Sequence, residues 1–276
     1  MRIARGTARV PDLDGFEEPV EVWRDRDGRL SAWAHTAGSD RWMYVPGVAS
    51  YRIRPGNREI VAIPHSLEVT DLVVGGYWRS VLPMAVQLGG REVLHASAVV
   101  AAAGVVGFCA VSMTGKSTLA YALSQRGYGL WGDDALAFDT TGTSIDALPL
   151  PFQLQLREPF VDESHATSSA PACSGSEARV PLAAVCTLER AQLADAPESA
   201  RVQRLSPAEA FPPLLSHAYC YSLDQIERNR AMIGHYIDLA ARVPVFNVVF
   251  RPGLEHLPSV LTTIERAVEM KPGRAP

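Results

Sequence analysis

Residues 107–118, GFCAVSMTGKST, decide the fold, because they place Gly-Lys-Ser-Thr between an apolar run and a helical pattern. The apolar run ends at Val111, and Leu119, Ala122 and Leu123 then recur at the spacing of one helix face. A strand, a tight loop and a helix in this order are what the phosphate-binding P-loop, or Walker A motif, requires. Backbone N–H groups and the helix N-terminus then face the nucleotide phosphates. The sequence therefore predicts nucleotide binding by Ala110, Val111, Ser112, Met113, Thr114, Gly115, Lys116, Ser117 and Thr118.

Two side chains of this loop have predicted roles of their own. The Lys116 ammonium would contact the β- and γ-phosphates, and the Ser117 hydroxyl would ligate Mg²⁺. The first position of the motif is Ala110, a residue that P-loops often carry in place of glycine. Only two lysines occur in the chain, Lys116 and Lys271, and one of them lies where an ammonium suits a phosphate. A chance Gly-Lys-Ser at a loop-to-helix turn is the alternative.

The composition indicates a globular protein and excludes several classes of function. The chain has 276 residues, of which 47% are hydrophobic and 20% are charged, enough for one large domain or two small ones. A net charge of −4 and a pI near 6.0 argue against a nucleic-acid partner. No stretch approaches the roughly 20 apolar residues of a membrane span, so no membrane association is expected.

The N-terminus and the cysteines predict a cytoplasmic location. The first residues, MRIARGTARVPDLDGFEEP, contain no apolar segment of the kind that a signal peptide needs. The four cysteines are far apart in the sequence and form no C-x-x-C pair, which favours reduced thiols over disulfides or a zinc site. They are Cys109, Cys173, Cys186 and Cys220.

The pattern along the chain predicts a β-rich N-terminal module over residues 1–88 and a P-loop domain over residues 89–276. In the module, short β-type runs are separated by Gly, Pro, Asp and Asn, and a helix follows them. The predicted strands are 20–23, 42–45, 51–54, 60–63 and 72–74, and the predicted helix is 77–88.

In the second domain, a hairpin is expected to lead into the loop, and a helix from Gly115 is expected to end near Gly127. Residues 162–181 are small, polar and aperiodic, so a mobile loop or lid is predicted there. The remaining predicted elements are strands at 129–132, 136–139, 183–188 and 244–250, a loop at 191–201, and helices at 207–216, 223–242 and 257–269.

Asp133 and Asp134 form an acidic pair at the end of the predicted strand 129–132. The carboxyl ends of strands are where ligands bind in α/β sheets. One carboxylate could coordinate Mg²⁺, and the other could accept a proton from an attacking hydroxyl, as phosphoryl transfer needs. The alternative is an Asp-Asp pair that opens a surface turn.

Four motifs in this order resemble a known family. They are LHASAV (94–99), AVSMTGKST (110–118), QRGYGLWGDD (125–134) and LQLR (154–157). Together they resemble the C-terminal catalytic domain of bacterial HPr kinase/phosphorylase, and more closely its short relatives found beside peptide-modification genes, including lasso-peptide clusters. The resemblance covers about residues 90–160 and implies an α/β fold of the P-loop, HPr-kinase-like type.

The resemblance also implies roles for individual residues. His95 matches a histidine near the transferred phosphate, although a structural histidine on a buried strand remains an alternative. Asp133 is expected to be the catalytic base and Asp134 to face the metal. Gln155 stands where the family has glutamate and would reach the metal through water. Arg157 would contact phosphate or substrate, and an ordinary surface arginine is the alternative.

Several departures from the family bear on the substrate. Met113 stands where HPr kinases carry glycine, and their C-terminal basic segment and long N-terminal regulatory domain have no match here. HPr itself and phosphorylase activity are therefore not expected.

The resulting hypothesis is an ATP- and Mg²⁺-dependent kinase acting on a serine of a peptide or small protein, such as a ribosomally made lasso-type precursor. Assembly into a homo-oligomer is a further hypothesis. Catalysis would combine positioning and electrostatics, with Lys116, Asp133, Asp134 and His95 as the catalytic residues. The alternatives are a P-loop ATPase without a phospho-acceptor and a non-catalytic module that senses nucleotide.

Overall fold

The computed structural model describes residues 1–4, 21–24, 27–54, 59–66, 70–152, 154, 156, 179–192, 196–221 and 226–273. The chain divides into two compact units. The first comprises Met1–Gly90 and Cys220–Ile226, and the second comprises Arg91–Tyr219 and Glu227–Pro276. The sequence predicted domains at 1–88 and 89–276, and it did not predict that residues 220–226 belong to the first unit.

The first unit contains a six-stranded sheet in the order β1-β6-β5-β4-β3-β2. All neighbouring strands are antiparallel except β1 and β6. The strands are β1 (Arg2–Ile3), β2 (Glu21–Arg24), β3 (Leu30–Ala37), β4 (Asp40–Val45), β5 (Ala49–Arg54) and β6 (Glu59–Pro64). The β-rich character predicted for this part of the chain is confirmed by these strands, although β3 was not predicted.

A helical segment follows the sheet of the first unit. It consists of α1 (Thr70–Gly76), a π-helical turn (Tyr77–Val81) and α2 (Leu82–Leu88). The predicted helix at 77–88 is confirmed, but the predicted strand at 72–74 is wrong, because those residues belong to α1. Packing outweighs the β propensity of the Leu-Val-Val run, since Val73 is fully buried and its carbonyl accepts a 2.7 Å hydrogen bond from the Tyr51 hydroxyl.

The second unit contains a sheet in which seven strands follow the order β10-β8-β9-β13-β12-β11-β7, and β15 pairs with β13 and β14. The strands are β7 (Glu92–Leu94), β8 (Ala96–Ala101), β9 (Gly104–Cys109), β10 (Gly129–Gly132), β11 (Leu136–Asp139), β12 (Asp146–Leu148), β13 (Val180–Arg190), β14 (Ala200–Arg204) and β15 (Val245–Phe250). The helices are α3 (Lys116–Ser124), α4 (Pro207–Ser216), α5 (Ile226–Arg242) and α6 (Leu257–Ala267). None of the described helices is long and apolar enough to span a membrane.

Most predictions for this unit are confirmed within a few residues at each end. The predicted loop at 191–201 overlaps the start of β14, which pairs antiparallel with β15 from Ala200 to Arg204. The predicted lid at 162–181 lies outside the described residues up to position 178, and β13 begins at Val180.

A buried apolar cluster holds α3 and α6 against the parallel strands β9, β13 and β15. Its members include Phe108, Leu119, Leu123, Cys186, Val248 and Ile264. Since β9 and β13 run parallel with Thr187 opposite Cys109, both strands end at the same edge of the sheet. That edge is where the residues that follow them, including the 110–115 loop, come together. The α/β class predicted from the sequence is confirmed, and the specific P-loop, HPr-kinase-like type stays a prediction.

Candidate functional site

The 110–115 loop connects the end of β9 to the start of α3. Two of its residues have left-handed backbone conformations, Met113 with φ 74° and Gly115 with φ 114°. The amide of Thr114 donates to the carbonyl of Val111 at 3.3 Å, which closes a turn inside the loop. A non-glycine residue in this conformation costs roughly 1–2 kcal/mol, and such strain is concentrated at ligand-binding loops. The side chains of Val111 and Met113 are largely exposed, at 64% and 61%.

Lys116 is the first residue of α3, and its side chain is buried beneath the loop. The ammonium donates to the carbonyl of Ala110 at 3.0 Å, so it lies close to both ends of the loop. Burial lowers the pKa of Lys116, and the negative charges of Asp134 and Asp133 oppose this shift. A cation that is partly desolvated in this way gains from an anionic ligand.

The buried carboxylate of Asp133 joins β8, β10 and α3. Its Oδ1 atom accepts hydrogen bonds from the hydroxyl of Ser97 at 2.6 Å and from the hydroxyl of Ser117 at 2.8 Å. Ser97 is fully buried, and Asp133 is only 5% exposed. Hydrogen bonds to an ionised acceptor are short and strong, so this carboxylate is held in one orientation.

The neighbouring Asp134 faces a different partner. Its backbone is left-handed with φ 61°, and its carbonyl accepts a 3.1 Å hydrogen bond from the Tyr219 hydroxyl. Its Oδ1 atom is 3.7 Å from Nε2 of His95, and both side chains are about 30% exposed. The backbone turn thus directs the Asp133 carboxylate to Ser117 and the Asp134 carboxylate to His95.

The segment after α4 supports the histidine from the other side. The amide of His95 donates to the carbonyl of His217 at 2.8 Å, and the amide of Tyr219 donates to the carbonyl of Val93 at 3.0 Å. The rings of His95 and Tyr219 meet edge to face with centroids 6.1 Å apart. Burial lowers the pKa of His217, and the nearby charges of His95 and Lys116 lower it further. His217 therefore tends to remain neutral.

A second cation, Arg190, lies at the loop. It is the last residue of β13, and its Nε atom donates to the carbonyl of Thr114 at 3.0 Å. Its Nη2 atom is 4.0 Å from the position that a Cβ atom on Gly115 would occupy. The guanidinium therefore lies against the backbone of the loop.

Five residues with predicted roles come together at this edge, namely His95, Lys116, Ser117, Asp133 and Asp134. Gln155 and Arg157, predicted for metal and substrate, lie outside the described residues. The two members of the acidic pair have different contacts, and their predicted roles stay predictions. Asp133, predicted as the base, accepts a hydrogen bond from Ser117 of α3, whereas Asp134, predicted for the metal, faces His95.

Four further residues of the site had no role in the sequence analysis. Ser97 stood inside a quoted motif, two residues after His95, and a polar residue in an otherwise apolar strand was the available signal. Arg190 follows an apolar run as a charged strand end, a weak signal. His217 and Tyr219 gave none, because only the pairing of their segment with Val93 and His95 brings them here.

One cavity of the second unit is separate from this site. It has a volume of about 430 Å³ and is lined by residues that include Ala183, Arg204, Pro244 and Glu269. Ala183 and Pro244 lie near the amino ends of β13 and β15, whereas the loop follows the carboxyl end of β9. The cavity is therefore not part of the candidate site.

Comparison with known proteins adds little to this geometry. No family model matches the chain, and no curated protein matches it. Among solved structures, the HPr(Ser) kinase/phosphatase from Coxiella burnetii is similar, with a TM-score of 0.35 and 15% sequence identity, and the match covers 63% of this chain and 89% of that one.

Proposed function

We propose that the chain is an ATP-dependent kinase that transfers the γ-phosphoryl group to a serine hydroxyl of a peptide or small protein. The observation that carries the proposal is the 2.8 Å bond between the Ser117 hydroxyl and the Asp133 carboxylate, beside the buried ammonium of Lys116. In P-loop NTPases a loop-proximal serine or threonine and an aspartate hold the nucleotide-bound Mg²⁺, and Ser117 and Asp133 would be the corresponding ligands here.

The residues at this point fit Mg²⁺. Both Ser117 and Asp133 offer hard oxygen ligands, and Mg²⁺ is usually held by one or two carboxylates together with phosphate and water oxygens. Among the described residues, no group of three or more His, Cys, Asp and Glu side chains is placed to hold a metal ion. Nucleotide phosphates and water would therefore complete the coordination, and the ion would offset negative charge on the β- and γ-phosphates.

Lys116 and the loop would hold the nucleotide. The ammonium is already directed at the loop through Ala110, and a phosphate would offer it stronger acceptors than a carbonyl. Amides at the start of α3 would donate to the β-phosphate. These contacts orient the γ-phosphorus and stabilise the charge that develops on its oxygens.

Asp134 would act on the acceptor. Its side chain is 31% exposed, so a substrate hydroxyl can reach it, whereas Asp133 is buried under two serine hydroxyls. The serine proton passes to the Asp134 carboxylate as the serine oxygen bonds to the γ-phosphorus, and the bond from that phosphorus to the β–γ bridging oxygen breaks to release ADP. His95, whose Nε2 atom is 3.7 Å from Oδ1 of Asp134, would orient this carboxylate. This assignment exchanges the roles that were predicted for the two aspartates.

The acceptor class rests on the four-motif resemblance alone. The most specific form of this proposal is a ribosomally made, lasso-type precursor peptide as the acceptor, with a homo-oligomeric enzyme acting in the cytoplasm. An ATPase without an acceptor and a nucleotide-sensing module are the competing functions. The presence of Asp134 beside His95 favours a kinase, because a module that only binds nucleotide needs no base.

The test uses γ-labelled ATP with Mg²⁺ and a panel of serine-containing peptides, including those encoded near this gene. A kinase transfers label to a peptide serine, an ATPase releases it to water at a rate independent of peptide, and a sensor retains it on ATP. Lys116→Ala should abolish nucleotide binding and transfer together. Lys271→Ala, which changes the only other lysine, is the matched control and should retain both.

Transfer that survives Lys116→Ala at the parent rate would remove the loop from the mechanism. Label that reaches only water, at the same rate with every peptide, would replace the kinase with the ATPase.

A further inference from the structure

Arg190 lies beside the candidate nucleotide loop because of the strand pairing in the second unit. β13 runs parallel to β9, with Thr187 opposite Cys109, and Arg190 is three residues further along. Its own backbone pairs with Phe250 of β15 on the other side. The strand end is therefore held on the β15 side while the Arg190 side chain extends to the residues that follow Cys109.

The guanidinium contacts the loop backbone and forms no ion pair with any carboxylate in the described part of the chain. Its Nε atom donates to the carbonyl of Thr114 at 3.0 Å. Its Nη2 atom is 4.0 Å from where a Cβ atom on Gly115 would lie. The contact is thus with the peptide group that joins Thr114 to Gly115.

Fixing this carbonyl also fixes an amide. In a trans peptide the C=O and N–H groups point in opposite directions within one plane. A carbonyl of Thr114 that is held toward Arg190 therefore turns the N–H of Gly115 to the opposite side. Amides that face one side of a loop in this way form the concave surface that binds an anion.

We propose that Arg190 is a positioning residue that holds the 114–115 peptide group in the orientation needed to bind the β-phosphate of a nucleotide. The proposal rests on the proposed function only in requiring that the loop bind a nucleoside di- or triphosphate. Arg190 acts from outside the loop and touches no phosphate. Its effect is therefore the same for ADP and ATP and is absent for AMP.

The experiment measures the binding of Mg-ATP, Mg-ADP and AMP by calorimetry to the full chain and to Arg190→Met and Arg190→Lys. Both variants change a hydrogen bond from a charged donor. Because such a bond is strong, its loss in Arg190→Met should weaken ADP and ATP binding by the same factor, roughly 10- to 100-fold. AMP binding and the melting temperature without nucleotide should match the parent. Arg190→Lys should recover part of the loss, because an ammonium can approach the carbonyl but lacks the planar fork.

Arg242→Met is the matched control. Arg242 also donates to backbone carbonyls of a turn, those of Thr140 at 3.1 Å and Gly142 at 2.7 Å. Its removal should leave the affinities for all three nucleotides unchanged. Loss of affinity in this variant equal to that in Arg190→Met would assign the effect to general stability and overturn the proposal.

Other results separate the inference from the proposed function. A parent protein that binds no nucleotide would refute both. A parent that binds ADP and ATP, with Arg190→Met at parental affinity, would refute only the role of Arg190. Loss of affinity for ATP alone would assign Arg190 to the terminal phosphate. Full recovery of affinity in Arg190→Lys would show that only its charge matters. Either result would overturn the positioning proposal.

Discussion

Replacing Asp133 or Asp134 with asparagine should separate metal binding from proton transfer. The two carboxylates are adjacent in sequence, yet Asp133 accepts bonds from Ser97 and Ser117 whereas Asp134 faces His95. Asparagine keeps the size of each side chain and removes its charge. Each variant therefore removes one proposed role and retains the other.

The magnitude for Asp133→Asn follows from its contacts. The substitution removes the charge of a carboxylate that two hydroxyls contact at 2.6 and 2.8 Å, and a hydrogen bond to a charged group contributes about 1.5–3 kcal/mol. If one such interaction is lost from the metal site, the Mg²⁺ concentration for half-maximal activity should rise roughly 10- to 150-fold. The transfer rate at saturating Mg²⁺ should stay within about tenfold of the parent, because the base is intact.

The magnitude for Asp134→Asn follows from the loss of a general base. Removing such a group lowers the transfer rate by about 10²–10⁴-fold. Binding of Mg-ATP should stay within a few-fold of the parent, because Ser117 and Asp133 are unchanged.

The assay measures the rate of transfer to a peptide serine across a series of Mg²⁺ concentrations at saturating ATP, with binding of Mg-ATP measured separately. Ser97→Ala serves as a control, because it removes one hydroxyl from Asp133 without changing charge and should raise the Mg²⁺ requirement only slightly. The opposite pair of results would refute the reasoning and restore the roles predicted from the sequence. In that case Asp134→Asn would raise the Mg²⁺ requirement, and Asp133→Asn would lose most of its transfer rate at normal Mg²⁺ dependence.

Two further predictions test single contacts. Tyr219→Phe keeps the ring but removes the hydroxyl that donates to the carbonyl of Asp134, whose backbone is left-handed. The rate of phosphoryl transfer should therefore fall roughly 2- to 12-fold while ATP binding is retained. Parental rates in steady-state kinetics would show that this bond does not matter for transfer. Gly76→Ala would place a Cβ atom 2.6 Å from the Tyr51 hydroxyl, and we expect a loss of about 1–3 kcal/mol in the free energy of unfolding of the first unit, measured by urea denaturation. Parental stability would mean that Tyr51 moves aside without cost.

The local elements of the second unit could largely be predicted from the sequence. The strand, loop and helix over 104–124 depend on contiguous residues, because apolar periodicity reports which side of an element is buried. The long helices could be predicted for the same reason, and α4 also carries a capping box formed by Ser206 and Glu209. The predicted ends differed from the observed ones by only a few residues.

The first unit shows where such patterns are insufficient. The strand β3, LSAWAHTA, carries three alanines and has weak β propensity, and its pairing with β2 and β4 stabilises it instead. The run at 72–74 has strong β propensity but is helical, because burial of Val73 under Tyr51 outweighs local preference. In both cases contacts with other elements, and not the propensity of the segment itself, determined the local structure.

The sequence by itself determined the strand, loop and helix that hold Lys116 and Ser117, since these elements follow directly from a contiguous motif. It also indicated that an acidic pair would accompany them. Only the tertiary structure decided how that pair is divided, because the left-handed turn at Asp134 directs the two carboxylates to Ser117 and to His95. It likewise decided that Arg190 and Tyr219 belong to the site. Their positions depend on strand pairings and hydrogen bonds between residues 76 to 126 positions apart, which no local periodicity encodes.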